Sequence, residues 1–175
     1  MANTTSLPSN ADAHSNCNNI LIDNDVLGNI FQTNSPTYCE LFEFDSLSIP
    51  AGATIDGIQV IVEIEANTYT TKPQFQVYNG AWSSLVDISS APNKRPTTVI
   101  TTPTAEDELW GMTWNATTAA AIQVRMAWTT SGGDAVYLDY VKVRITYTET
   151  AVVIHPRMQI KSGTLNLKSG NLIIK

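Results

Sequence analysis

The side chains that most often carry out catalysis are scarce in this sequence of 175 residues. It contains two histidines: His14 lies in a polar N-terminal stretch, and His155 precedes a proline. A hydrolase or metalloenzyme site usually needs a histidine that a rigid element holds in place. The H-E-x-x-H, G-x-S-x-G, P-loop and G-x-G-x-x-G motifs are absent as well. We therefore predict a protein that is not an enzyme and that needs no cofactor.

Closely spaced carboxylates suggest two further kinds of site, a glycosidase active site and a calcium-binding loop. Glu63 and Glu65 lie two residues apart, and Asp134 and Asp139 follow a Gly-Gly pair. A glycosidase needs two carboxyl groups across a cleft, whereas residues two apart on a strand share one solvated face. Calcium needs six or more oxygen ligands from a shaped loop. We interpret the glutamates as a strand face and the aspartates as turn residues, and we predict no metal site.

Three tryptophans offer flat surfaces for a ligand. Trp82 follows Asn79-Gly80, a pair typical of a two-residue type I′ turn, while Trp110 and Trp114 flank Gly111. Aromatic rings on a β-sandwich can stack on sugar rings, so all three are candidate glycan-stacking residues. Trp110 and Trp114 could instead fill the core beneath a long loop, and the sequence leaves both interpretations open.

The two cysteines, Cys17 and Cys39, could bridge the N-terminal arm to the first long strand. Residues 1–19 have neither a basic start nor an apolar stretch, so we expect no secretory signal. Without such a signal the expected compartment is reducing, which predicts free thiols.

The elements that must hold these residues are strands. Apolar residues alternate with polar ones over 55–66, and the same period of two recurs over 122–128 and 141–147. No segment shows a 3.6-residue stripe over ten or more residues. The pattern predicts an all-β fold, a two-sheet antiparallel β-sandwich of jelly-roll type with a short C-terminal β-repeat tail.

Charge and composition divide the chain into an extended arm (1–19), a β-sandwich domain (20–150), a linker (151–156) and a repeat tail (157–175). The net charge is −6, yet the tail carries four basic residues and no acid. The remaining residues, with six basic and sixteen acidic side chains, therefore sum to −10. An acidic body without a long apolar run argues against nucleic-acid and membrane partners.

The tail repeats a short unit every seven residues, because Ile160-Lys-Ser-Gly recurs as Leu167-Lys-Ser-Gly and begins again at Ile174. Such a strand cannot bury its apolar face alone, so it must stack on the body, on a partner or on other copies. A β-meander lying on the body is the plainer alternative. The predicted oligomer or docking interface consists of Met158, Ile160, Lys161, Leu165, Leu167, Lys168, Leu172 and Ile174.

Four strings occur in a familiar order over residues 7–149. They are Pro8-Ser-Asn-Ala11, then Ile49-Pro-Ala-Gly-Ala-Thr-Ile55 with Gly57-Ile-Gln-Val60, then Glu108-Leu-Trp-Gly111 with Trp114, and Val136-Tyr-Leu-Asp-Tyr-Val141 running into Ile145-Thr-Tyr-Thr148. This order resembles β-sandwich structural proteins of tailed bacteriophages and prophages. The first motif of that family often opens with tryptophan, where this chain has Leu7.

The resemblance implies a non-enzymatic virion protein, either a capsid-decorating (auxiliary capsid) protein or a head-fibre protein. Such a protein would be a homo-oligomer, most simply a trimer, that binds virion proteins such as the major capsid protein. Its location would be the virion, assembled in the host cytoplasm. Two alternatives stay open: a tail, baseplate or neck component, and a carbohydrate-binding adhesion module with a host glycan as its ligand.

Overall fold

The computed structural model describes residues 1–11, 21, 23, 28–31, 37–44, 47–66, 73–88, 98–128 and 136–150. The predicted linker and repeat tail lie outside the described residues, so their predicted roles stay predictions. Both histidines, Cys17 and Asp134 also lie outside them.

The described residues form ten strands and one short helix. They are β1 (Ala2–Ser6), β2 (Asn10–Ala11), β3 (Gly28–Phe31), β4 (Thr37–Phe42), β5 (Thr54–Ala66), β6 (Gln74–Tyr78), β7 (Val86–Asp87), β8 (Thr98–Thr102), α1 (Ala116–Ala120), β9 (Gln123–Trp128) and β10 (Val136–Thr148). Within the described ranges, no helix is long and apolar enough to cross a membrane.

The strands form two antiparallel sheets, which confirms the predicted all-β sandwich. The first sheet has the order β1-β10-β5-β8, and β3 also pairs with β10. The second sheet has the order β2-β4-β9-β6-β7. Most neighbours in a sheet are distant in sequence, so each sheet combines segments from both halves of the domain.

The core lies between the inner faces of the two sheets, as the alternating pattern predicts. In the first sheet Val143 pairs with Val60 and Ile145 with Ile58, and all four side chains are fully buried. The second sheet contributes a matching set of buried side chains: Leu41, Phe75, Val77, Val124 and Met126. Burying each such side chain stabilises the fold by roughly 1.5–3 kcal/mol relative to exposure.

The loop after β8 lies close against the first sheet. Gln59, only 1% exposed, donates from its side-chain amide to the carbonyls of Pro103 and Thr104. Its amide oxygen accepts from Arg144. A Cβ built on Gly57 would stand 1.7 Å from the carbonyl oxygen of Glu106. Glycine at this position therefore lets the loop approach the strand directly.

The connection that carries Trp82 differs from the predicted type I′ turn. Tyr78 and Trp82 form a β-bridge, so three residues connect them instead of two. Gly80 has a φ of 78°, whereas Asn79 is not among the residues with positive φ, as a type I′ turn would require. The side-chain amide of Asn79 donates instead to the carbonyl of Thr113, which ties this loop to the one that follows Trp110.

Candidate functional site

The structure separates the three candidate tryptophans. Trp110 is 5% exposed and its indole N–H donates to the Ile58 carbonyl at 2.9 Å; Trp114 is 9% exposed and donates to the Leu109 carbonyl at 3.1 Å. Both rings belong to the core, so the glycan-stacking interpretation does not hold for these two residues. Trp82 is partly exposed and lies beside the second sheet.

A row of polar side chains crosses the outer face of the second sheet. Glu40 on β4 pairs with Arg125 on β9, and Arg125 pairs with Gln76 on β6. Their sequence neighbours Leu41, Val124 and Val77 are fully buried. Because successive side chains of a strand point to opposite faces, the polar row points away from the core.

Hydrogen bonds fix the middle of this row. The Arg125 Nε–H donates to the side-chain oxygen of Gln76 at 2.7 Å, and the amide of Gln76 donates to the Ser83 carbonyl. A guanidinium nitrogen of Arg125 also lies 3.7 Å from a carboxylate oxygen of Glu40. Gln76 is consequently 8% exposed although it lies on the outer face. The side chain of Arg125 is thus held between Glu40 on β4 and Gln76 on β6.

Two aromatic rings complete the surface. The guanidinium carbon of Arg125 lies 4.2 Å from the centroid of the Trp82 ring, which is a cation–π contact. The Tyr78 ring lies 5.2 Å from Trp82 at an interplanar angle of 57°. We call this set the Trp82 surface; its members are Glu40, Gln76, Tyr78, Trp82 and Arg125.

The Trp82 surface offers flat apolar rings next to fixed planar polar groups. A sugar ring has the complementary chemistry, an apolar C–H face bordered by hydroxyl groups. Sequence analysis identified Trp82 but missed Glu40, Gln76 and Arg125. In the sequence, each of these three residues looks like an ordinary polar residue on the outer face of a strand. They come together only because β4, β9 and β6 pair side by side.

A second group of polar side chains lies on the first sheet. Carboxylate oxygens of Asp23, Glu63 and Asp139 lie within 4.8 Å of one another. Lys142 supplies a cation there, because its Nζ lies 2.6 Å from Asp23 and 3.9 Å from the centroid of the Tyr140 ring. The structure thus groups Glu63 with Asp139 through the pairing of β5 with β10, whereas the sequence grouped it with Glu65.

Burial is the main reason that the pKa of the Tyr140 phenol lies above its ordinary value. The charge of Lys142 acts in the opposite direction, and the carboxylates of Glu63, Asp23 and Asp139 add to the increase. Tyr140 is therefore a neutral phenol at physiological pH. The folded protein holds the phenolic proton more tightly than the unfolded chain does.

The prediction of free thiols is wrong. Cys39 is fully buried on β4 and is disulfide-bonded. The other cysteine of the chain is Cys17. The prediction failed because it rested on the expected compartment alone, and the compartment carries no information about which side chains the fold brings together.

Comparisons with known proteins add little to this description. No protein-family model matches the chain, and no curated protein matches it by sequence. Among solved structures, the crystal structure of chitosan-binding module 1 from a chitosanase/glucanase of Paenibacillus sp. IK-5 is similar, with a TM-score of 0.42 and 14% sequence identity. The similarity covers 81% of this chain and 92% of that module.

Proposed function

We propose that this chain is a non-catalytic saccharide-binding module that holds its ligand on the Trp82 surface. The observation that carries the proposal is the partly exposed Trp82 ring, with Tyr78 beside it and Gln76 and Arg125 fixed by hydrogen bonds. In this arrangement the aromatic rings contact the apolar face of a sugar, and Arg125, which Gln76 holds in place, supports the Trp82 ring from one side.

The same surface supports binding better than hydrolysis. Most glycosidases place two carboxyl groups on either side of the bond that breaks. By its definition the Trp82 surface contains one carboxylate, that of Glu40, and this group lies beside the guanidinium of Arg125. We therefore propose retention of the ligand without chemical change.

The test is binding to a panel of polysaccharides with matched variants. Trp82→Ala should weaken binding about tenfold or more, which corresponds to roughly 1.4 kcal/mol of lost stacking. The control is Val99→Ala, because Val99 is 56% exposed on the first sheet and outside the proposed site. Affinity electrophoresis and quenching of tryptophan fluorescence measure the effect. Equal binding by Trp82→Ala, or no binding of any glycan by the unmodified protein, would contradict the proposal.

A second candidate function is a structural role in a phage particle, which the ordered strings favour. In the fold the last three of these strings contact one another: the Ile58 N–H donates to the Glu108 carbonyl, and residues 136–148 pair with β5. Under this proposal the protein is a trimer that binds virion proteins such as the major capsid protein through residues 157–175. Immunogold imaging of particles tests its location. Sedimentation of a variant lacking 157–175 tests the trimer, which should dissociate.

A further inference from the structure

The guanidinium of Arg125 already occupies one face of the Trp82 ring. Its carbon lies 4.2 Å from the ring centroid, and the Gln76 side chain holds it there. The electron-rich face of an indole attracts a cation, so this contact uses the attraction that a cationic ligand would otherwise gain. A ligand that stacks on Trp82 would therefore have to use the opposite face of the ring.

We infer that Arg125 sets the ligand preference of the Trp82 surface: it disfavours cationic amino sugars relative to uncharged ones. This inference rests on the proposed saccharide-binding function. A ligand ammonium stacked at a similar distance on the opposite face would stand about 8 Å from the guanidinium, because the two separations of about 4 Å add. Two like charges at that distance repel by about 0.5 kcal/mol in water and about 2 kcal/mol near a protein surface, a loss of about two- to thirtyfold in affinity.

Glu40 offsets only part of this repulsion: its carboxylate lies 3.7 Å from a guanidinium nitrogen of Arg125, but it comes from the side of β9 opposite to β6. It lies on β4, two strands away from β6 in the order β4-β9-β6. With strands about 4.8 Å apart, its backbone is roughly 10 Å from that of Gln76. Trp82 forms its bridge on β6 through Tyr78, so Arg125 is the nearer charge to a ligand on the indole.

The acidic body of the protein acts over a longer range. Its net charge of −10 over residues 1–156 attracts cations in general. At about 0.15 M salt, however, charges separated by more than about 8 Å are largely screened. Measurements at that ionic strength suppress the charge of distant residues more than that of Arg125, because the Arg125 side chain is only 19% exposed and partly buried charges are screened less.

The experiment compares two oligosaccharides with the same backbone, N-acetylglucosamine hexamer and glucosamine hexamer, which differ at the 2-amino group: it is acetylated and neutral in the first, and free and cationic in the second. Titration calorimetry at about pH 5.5 keeps the amines of the glucosamine hexamer protonated. The unmodified protein should bind the neutral hexamer about three- to tenfold more tightly. Arg125→Met should lose this preference, and Arg125→Lys should retain it because it keeps the charge. Equal unfolding midpoints of the variants confirm that each is folded.

Two failures are distinguishable. If the unmodified protein binds a glycan through Trp82 but prefers the cationic hexamer, or if Arg125→Met keeps the neutral preference, the inference about Arg125 is wrong and the proposed function stands. If neither hexamer nor a glucose hexamer binds, or if Trp82→Ala binds as well as the unmodified protein, the proposed function fails, and the inference fails with it.

Discussion

The indole N–H of Trp110 donates to the backbone carbonyl of Ile58 at 2.9 Å, and the N–H of the same Ile58 donates to the Glu108 carbonyl at 2.9 Å. Trp110 has a φ of 59°, a left-handed conformation that costs a side-chain-bearing residue roughly 1–2 kcal/mol. Burial of the indole and its hydrogen bond offset that cost. The three residues from Glu108 to Trp110 thereby attach the loop after β8 to β5.

Trp110→Phe removes this donor and keeps an aromatic ring. We expect the free energy of unfolding to fall by about 1–3 kcal/mol, since a buried carbonyl loses a partner. Trp114→Phe is the matched control. It removes the hydrogen bond from Trp114 to the Leu109 carbonyl, but that carbonyl still accepts a hydrogen bond from the Met112 N–H. Its loss should be smaller. Urea unfolding of both variants checks the difference, and equal losses would contradict the role given to the Ile58 bond.

Gly57→Ala should destabilise the fold strongly. The new Cβ would stand 1.7 Å from the Glu106 oxygen and 2.6 Å from its carbon, so the backbone of the loop must move. Overpacking of this kind costs about 3 kcal/mol or more. Gly80→Ala is the control, because nothing lies within 4 Å of its added Cβ and only its positive φ costs roughly 1 kcal/mol. Thermal unfolding should rank the two variants in that order.

The sequence predicts those features of the fold that depend on residues close together along the chain. The alternation in β5 and β10 correctly assigns Val60 and Val143 to the core, because the side-chain period of a strand is local. The need for glycine at position 57 is different: it arises from Glu106, which is distant in sequence and reaches the strand only in the fold. For the same reason, sequence alone cannot assemble the Trp82 surface, since Glu40, Arg125 and Gln76 come from three separate strands.

The disulfide at Cys39 should stabilise the protein measurably. A bond between Cys39 and the chain's other cysteine, Cys17, restricts the unfolded chain, which contributes about 3 kcal/mol for a loop of this size. Reduction should lower the urea midpoint of unmodified protein made in an oxidising compartment. It should leave Cys39→Ser unchanged. Alkylation of the denatured, unreduced protein should label no thiols; two labelled thiols would show that the bond does not form.

Tyr140 should make stability fall at high pH. Because burial raises the pKa of its phenol in the folded state, the unfolded chain loses this proton first as the pH rises above about 10. The stabilisation present below the unfolded pKa is therefore lost as the pH rises through the folded pKa. Tyr140→Phe cannot titrate, so its unfolding free energy should decline less between about pH 9 and pH 11. Urea unfolding across that range checks the prediction. Parallel declines in the two proteins would mean that Tyr140 releases its proton as readily in the folded state as in the unfolded chain.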